Sequence, residues 1–136
     1  MGSVILDTGV LIGVLNPLDV HHSVATDTLH NARRSGDSIV LPTLVIAELL
    51  VGAYRLGPDS VRIAEDFTDS VADRVIDIGL RIARTAARLR AVHPKLRMPD
   101  ALVIATGLVE VVTRIVTTDA AWAGVDARVE LLVAAP

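Results

Sequence analysis

Four acidic residues are set apart by the apolar sequence around them. Asp7 follows the apolar run Val4–Leu6, and Asp119 closes the segment RIVTTD, which carries Ile115 and Val116 before two threonines. Each run predicts a strand that is buried on both faces and ends in a carboxylate. Open α/β sheets bind their ligands at the carboxyl ends of parallel strands. Both acids are therefore predicted to lie at one functional edge of a sheet.

The other two acids belong to strongly apolar helices. Glu48 is the only acid in the predicted helix Leu44–Leu56, which we expect to be buried on every side and capped by Thr43. A buried carboxylate without a partner is costly, so Glu48 needs a positive partner, a metal ion or a wet edge of the helix. Asp100 precedes the predicted helix Ala101–Val112, where an acid is also an ordinary choice at a helix N-terminus.

Together these acids predict a metal site. Four converging carboxylates would repel one another unless a cation lay between them or some were protonated. Each acid alone has a structural explanation as a turn residue, a cap or half of an ion pair, but the set is harder to explain in that way. The chain has no cysteine, and its four histidines form no apposed pair of ligands, which favours Mg²⁺ or Mn²⁺ over zinc. The predicted ligands are Asp7, Glu48, Asp100 and Asp119.

Basic residues lead along the chain towards Asp100. Arg90, Lys95 and Arg97 are candidates to hold phosphate groups beside the metal, although an exposed loop would also carry such charges. The net charge is −3, and without the four site acids the chain would hold 12 acids and 13 bases. Any attraction to nucleic acid must therefore be local. With aromatic residues at 2%, extensive base stacking is not expected.

The elements that must position these residues alternate between strand and helix. They predict a single α/β domain over residues 1–136, with a mostly parallel sheet of about five strands. The predicted strands are Val4–Leu6, Ser38–Leu41, Arg74–Ile78, Arg114–Asp119 and Val129–Val133. The predicted longer helices are His21–Ser35, Leu44–Leu56, Asp59–Ser70, Gly79–Val92 and Ala101–Val112.

The composition indicates an aliphatic core with apolar surface to spare. Hydrophobic residues make up 51% of the chain, and the mean hydropathy is +0.53. We expect part of this surface to be covered by a partner protein and by a second copy of the chain. No run of about 18 apolar residues is free of charge or proline, so no membrane span is predicted. The N-terminus lacks the basic segment of a signal peptide, and we expect a cytoplasmic protein.

Four segments of the chain resemble the motifs of the PIN-domain family in their order and spacing. They are VILDTGVLI, LVIAELLVG, MPDALVIATGL and IVTTD. More narrowly, they resemble the VapC-type toxins of bacterial toxin–antitoxin pairs, over a stretch from about Ser3 to Leu132. The resemblance implies a three-layer α/β/α fold. It also implies a Mg²⁺- or Mn²⁺-dependent endoribonuclease that a cognate, VapB-like antitoxin inhibits.

The resemblance also assigns roles to single residues. The four family acids match Asp7, Glu48, Asp100 and Asp119, and the supporting hydroxyls of the pattern match Thr8 and Thr117. We expect Asp7 and Asp100 to bind the metal directly, and the other two acids to complete its shell or to orient the attacking water. The chain departs from the pattern at Gly9, where many relatives have a serine. The choice of RNA as substrate comes from the resemblance alone.

Two other functions stay open on the sequence. A phosphatase in which Asp7 attacks phosphorus would usually carry a second aspartate two residues later, where this chain has Gly9. Such enzymes also use a lysine late in the fold, and the only lysine here is Lys95. A non-catalytic module that acts by sequestering a partner would not need all four acids. The intact set of acids favours the nuclease.

Overall fold

The computed structural model describes all 136 residues and contains one sheet of five parallel strands. The strands are β1 (Ser3–Leu6), β2 (Ser38–Pro42), β3 (Arg74–Ile76), β4 (Arg114–Thr117) and β5 (Val129–Leu131). Their order across the sheet is β3-β2-β1-β4-β5. At the centre of the sheet, β1 contains the fully buried Val4, Ile5 and Leu6 after a half-buried Ser3, as expected for a parallel strand covered on both faces.

Six α-helices and one short 3₁₀ helix connect the strands. They are α1 (Thr8–Leu15), α2 (His22–Arg34), α3 (Thr43–Leu56), α4 (Pro58–Val71), α5 (Leu80–Val92), α6 (Met98–Val109) and the 3₁₀ helix Ala120–Trp122. Right-handed crossovers place α1 to α4 on one face of the sheet and α5 and α6 on the other. Within these layers α1 packs on α2, α3 on α4, and α5 on α6. The predicted three-layer α/β/α fold is confirmed.

The order of the strands creates a switch point beside β1. From β1 the chain moves outward through β2 to β3, and it then returns to the other side of β1 to form β4. Ligands of open α/β sheets bind where the strand order reverses in this way. Leu6 pairs in register with Val116, so Asp7 and Thr117 lie level with each other just beyond that pair.

Several element boundaries differ from the predicted ones. Helix α6 begins at Met98, because Pro99 fits the first turn of a helix, and Asp100 therefore lies inside that turn. It ends at Val109, soon before Val111 takes a positive φ of 55°. The prediction of Thr43 as an N-cap is wrong, since the cap is Pro42 and no side chain caps the helix.

Helix α3 is not buried on every side, and that expectation is wrong. Val51, Tyr54 and Leu56 are 50%, 68% and 81% exposed, and Glu48 is half-buried. The helix packs against α1, α4, α6 and β2, and these contacts leave the apolar stripe that carries Val51, Tyr54 and Leu56 uncovered. None of the helices has the length and apolar character needed to cross a membrane.

Candidate active site

Asp7 lies at the switch point, and its carboxylate is held by two hydrogen bonds. It is the N-cap of α1, and Oδ1 accepts a hydrogen bond of 2.8 Å from the backbone N–H of Thr8. Oδ2 accepts one of 2.9 Å from the hydroxyl of Thr117. The backbone N–H of Asp7 donates to the carbonyl oxygen of Val116. The side chain is thus fixed between the ends of β1 and β4, as its place in the sequence predicts.

Burial of this carboxylate makes its charge costly. Burial raises the pKa of Asp7 from an ordinary 3.8 to about 6. The hydrogen bonds from Thr117 and Thr8 lower this pKa, and the negative charges of Asp100 and Glu48 raise it further. Glu48 and Asp100 are therefore both near enough to Asp7 to repel its charge. A cation among them would relieve that repulsion.

Glu48 is brought to the site by α3 and is oriented by a hydroxyl. The Oγ1 of Thr8 donates a hydrogen bond of 3.1 Å to Glu48 Oε1. Thr8 therefore connects two acids, since its backbone binds Asp7 and its side chain binds Glu48. Because Glu48 is half-buried, water reaches it, and no internal ion pair is needed to explain it.

Asp100 faces the site from the first turn of α6, with one basic side chain against it. The Nε–H of Arg97 donates to Asp100 Oδ2 over 3.3 Å. The pKa of Arg97 is raised first by this hydrogen bond and by the charge of Asp100, and further by Glu48 and Asp119. Its side chain remains 71% exposed, so the contact is a surface pair that a stronger ligand can displace.

Asp119 takes a different position from the other three acids. Its Oδ1 accepts a hydrogen bond of 2.9 Å from the N–H of Ala121 and so caps the 3₁₀ helix that follows. Its own backbone N–H donates to Thr117 Oγ1 over 3.0 Å. Asp119 is exposed, and it is tied to Asp7 only through the hydroxyl of Thr117.

The structure explains why residue 9 is a glycine. A Cβ on Gly9 would collide with the Oγ1 of Thr118, while Thr118 Cβ would be 3.5 Å away, an ordinary contact. The hydroxyl of Thr118 thus fills the space that a side chain at residue 9 would need. The sequence prediction did not include Thr118, and the signal that could have found it was the departure at Gly9.

The candidate phosphate-binding residues have different surroundings. Lys95 and Arg97 are exposed, whereas the guanidinium of Arg90 donates hydrogen bonds of 2.8 and 2.9 Å to the carbonyl oxygens of Pro94 and Leu96. Arg90 therefore braces the loop before α6. The structure brings Arg97 to Asp100, and it leaves Lys95 exposed on that loop without a contact to an acid.

The donor set has the chemistry of a site for a hard divalent cation. No group of three or more His, Cys, Asp or Glu side chains stands ready to enclose a metal ion. Mg²⁺ does not require one, since it is usually bound through one or two carboxylates and keeps several waters. Asp7 and Asp100 offer two such carboxylates, and the negative charges of Asp100 and Glu48 both act on Asp7.

A parallel α/β domain with carboxylates gathered at its switch point defines a broad class of ligand-binding and hydrolytic proteins. Sequence comparison narrows this class. The PIN domain profile matches residues 4–128, and the chain belongs to the PIN domain family. A search of the curated proteins found no match.

Solved structures with the same fold include several toxin proteins. A toxin–antitoxin complex from Klebsiella pneumoniae matches with a TM-score of 0.75 and 23% identity over 94% of this chain and 96% of that one. VapBC2 from Rickettsia felis, bound to a DNA fragment from its promoter, matches with a TM-score of 0.77 and 16% identity over 96% of this chain and 98% of that one. VapC20 from Mycobacterium tuberculosis, a toxin that cleaves the sarcin–ricin loop, matches with a TM-score of 0.67 and 18% identity over 83% of this chain and 87% of that one. At these identities the likeness shows the fold.

Proposed function

We propose that this chain is the toxin of a VapBC-type toxin–antitoxin pair and that it is a Mg²⁺-dependent endoribonuclease. The observation that carries the proposal is the carboxylate of Asp7, buried at the switch point beside two further acids. Such an arrangement is unfavourable in a protein that binds no cation there. The PIN domain and the toxins among its structural neighbours supply the choice of reaction and of substrate.

Asp7 and Asp100 would hold the metal, with Mn²⁺ as the other candidate ion. Bound Mg²⁺ would supply the positive charge that offsets the phosphodiester and lowers the pKa of a water molecule. Glu48 and Asp119 would complete the shell or accept a hydrogen bond from the attacking water. Thr117 keeps the rotamer of Asp7 fixed through its 2.9 Å hydrogen bond, and the site therefore needs little reorganisation before reaction.

The basic and hydroxyl side chains have separate tasks in this proposal. Thr8 holds Glu48 at a fixed distance from Asp7, because it hydrogen-bonds to both acids. Arg97 is free to exchange Asp100 for a substrate phosphate, since its ion pair is exposed. Lys95 would add a second phosphate contact from the loop. No serine, cysteine or lysine is required as a nucleophile.

The uncovered apolar surface supports an antitoxin partner. A groove of about 470 Å³ runs between α1, α3 and α4 and is lined by Ile12, Leu56 and Ile63 among other apolar residues. These three side chains are 39%, 81% and 56% exposed. Glu48 also lines the groove, so a segment bound there would reach the acids. A homodimer and a cytoplasmic location complete the proposal.

The test is cleavage of total cellular RNA by the purified chain, with Mg²⁺ and with EDTA, followed by mapping of the cut ends. We expect discrete cuts that require the metal and disappear in Asp7→Asn. An exposed acid on α4, changed in Asp66→Asn, provides the matched control and should retain full activity. RNA that stays intact with Mg²⁺ and with Mn²⁺ would contradict the nuclease, and a phosphatase would instead release phosphate from monoesters.

A further inference from the structure

A groove opens between the loop that precedes α6 and the turn that follows β4. Its volume is about 320 Å³, which is at the lower end of the range for ligand sites. Its walls carry His93, Lys95 and Leu96 on the loop, and Ala121, Ala123 and Val125 on the turn. The groove lies at the carboxyl edge of the sheet, because the turn leaves the end of β4 and the loop leads to Asp100.

Both walls are joined directly to acids of the proposed site. On the turn, the N–H of Ala121 donates to Asp119 Oδ1 over 2.9 Å. On the loop, Arg97 follows the wall residues and contacts Asp100 over 3.3 Å. A polynucleotide whose phosphate lies at the acids would therefore continue into this groove with its neighbouring nucleotide.

The loop wall is held in shape by hydrogen bonds. The guanidinium of Arg90 binds the carbonyl oxygens of Pro94 and Leu96, which lie on either side of Lys95. The N–H of Leu96 donates to the carbonyl oxygen of His93 over 3.0 Å, and the Leu96 side chain is buried. This wall is thus formed before any ligand binds, and the exposed Lys95 lines the groove.

The turn wall is equally well anchored. Trp122 is fully buried beneath it, and the backbone N–H groups of Ala123 and Val125 donate to the carbonyl oxygens of Ala120 and Trp122. Gly124 takes a positive φ of 79°, which allows the chain to turn here. Two preformed walls limit the entropy lost when a ligand enters.

The chemistry of the lining fits a single nucleotide. Alanine and valine side chains offer an apolar face, His93 offers a planar ring, and Lys95 offers a positive charge. His93 is the only aromatic ring that lines the groove, since the single tryptophan is fully buried. Unpaired bases stack on histidine rings, whereas bases inside a duplex cannot reach such a surface.

We propose that this groove binds the nucleotide next to the cleaved bond of a single-stranded RNA, with its base on His93 and its phosphate on Lys95. The inference rests on the proposed function, because it requires RNA to be bound at the acids. It adds a site that determines which sequence is cut, since the size of the groove limits the base it admits.

Abasic scanning of a mapped cleavage site tests the groove. A short labelled RNA carries a bridging methylene group at the cut bond, so that it binds with Mg²⁺ without being hydrolysed. One base at a time is removed, and the affinity of the full chain is measured by fluorescence anisotropy. We expect one position beside the cut bond where loss of the base weakens binding roughly 5- to 100-fold, as for other stacked bases.

The penalty at that position should disappear in His93→Ala and remain in His30→Ala, which changes an exposed histidine on α2. Ala123→Leu fills the groove from the opposite wall and should remove the penalty as well. If His93→Ala does not fold, Ala123→Leu still shows whether the penalty depends on the groove. A penalty that persists in both groove variants would overturn this site and leave the nuclease intact. If neither the wild type nor any variant bound or cleaved RNA, both this groove site and the proposed nuclease would be overturned.

Discussion

Asp7 is the residue whose energetics most clearly connect the fold to the proposed metal. In the folded chain its pKa is about 6, and the ordinary value is 3.8. An acid whose pKa is raised by folding destabilises the native state when it is charged. The penalty is fully present above pH 6, decreases as the pH falls towards 4, and is absent below 3.8. The metal-free protein should therefore become relatively more stable on mild acidification.

Asp7→Asn tests this expectation. The rise in the pKa of Asp7 from 3.8 to about 6 corresponds to roughly 3 kcal/mol, so in EDTA at pH 7 the variant should be more stable than wild type by up to that amount. The difference should shrink at pH 4.5, where the wild-type carboxyl is mostly protonated. Urea denaturation at both pH values gives the free energies of unfolding. A difference that does not change with pH would contradict the origin assigned to it.

Glu48→Gln tests whether the acids share one metal. Since Glu48 is half-buried and accepts only the Thr8 hydroxyl, we expect a small gain in stability of the metal-free protein from reduced repulsion. The rise in melting temperature on adding Mg²⁺ should shrink, because that rise follows metal affinity. Cleavage should fall by orders of magnitude. Glu65→Gln, at an exposed position of α4, is the control, and equal Mg²⁺-induced shifts in wild type and Glu48→Gln would refute the shared site.

Gly9→Ser tests the packing of the α1 N-terminus. The serine Cβ would collide with the hydroxyl of Thr118, and overpacking of this kind costs about 1–3 kcal/mol. Thr118→Ala removes the hydroxyl and should be nearly neutral alone. The double variant should recover most of the loss, and a double-mutant cycle of urea midpoints measures the coupling. Additive effects of the two changes would mean that the two positions do not compete for the same space.

At the scale of the elements, the sequence predicted the alternation of strands and helices because burial on both faces leaves a clear apolar signature. It did not predict which side of α3 would be covered. A helix that is apolar all round is predicted to lie in the core. The sequence does not distinguish a side that is buried in the monomer from a side that is left for a partner. Val51 and Leu56, on a helix that was predicted to be buried all round, are exposed. The start of α6 was predicted too late because Pro99 lies in its first turn, and a proline can stand either in the first turn of a helix or just after a helix ends.

The groove between α1, α3 and α4 leads to a prediction about the partner. Leu56→Asp places a charge on a side chain that is 81% exposed, so the fold should keep its stability. Burial of that charge against a partner would be unfavourable. In copurification from the native operon, the proposed antitoxin should be lost from Leu56→Asp. It should be retained with Val133→Asp, a 70% exposed apolar residue outside the groove. Retention in both variants would contradict this docking surface.

At the scale of the whole molecule, the candidate site combines residues from distant parts of the chain. The order of the motifs predicted the acids at one edge of the sheet, where parallel strand ends meet, and the structure places Glu48 and Asp100 near enough to act on Asp7. It was not enough to separate their roles. Asp119 turns its carboxylate to its own 3₁₀ helix, and Thr118 faces Gly9, because these contacts depend on side-chain rotamers. Such contacts leave no periodic pattern in a sequence.

The distribution of charge leads to the last prediction. The chain carries a net charge of −3, so attraction to RNA must come from a few cations placed beside the acids. Lys95 and Arg97 are exposed at the site, and replacement of either by alanine should reduce the slope of log affinity against log salt by about 1. Arg84→Ala, on the exposed face of α5, should leave the slope unchanged.

Arg90→Ala should behave differently, because its guanidinium already binds two carbonyl oxygens of the loop. We expect a loss of about 1–3 kcal/mol in stability from the unpaired carbonyl groups, with little change in the salt slope. Binding titrations between 50 and 200 mM salt, together with urea melts, distinguish the two kinds of effect. If Arg90→Ala lowered the slope as much as Lys95→Ala does, Arg90 would have to leave the loop and contact the phosphate itself.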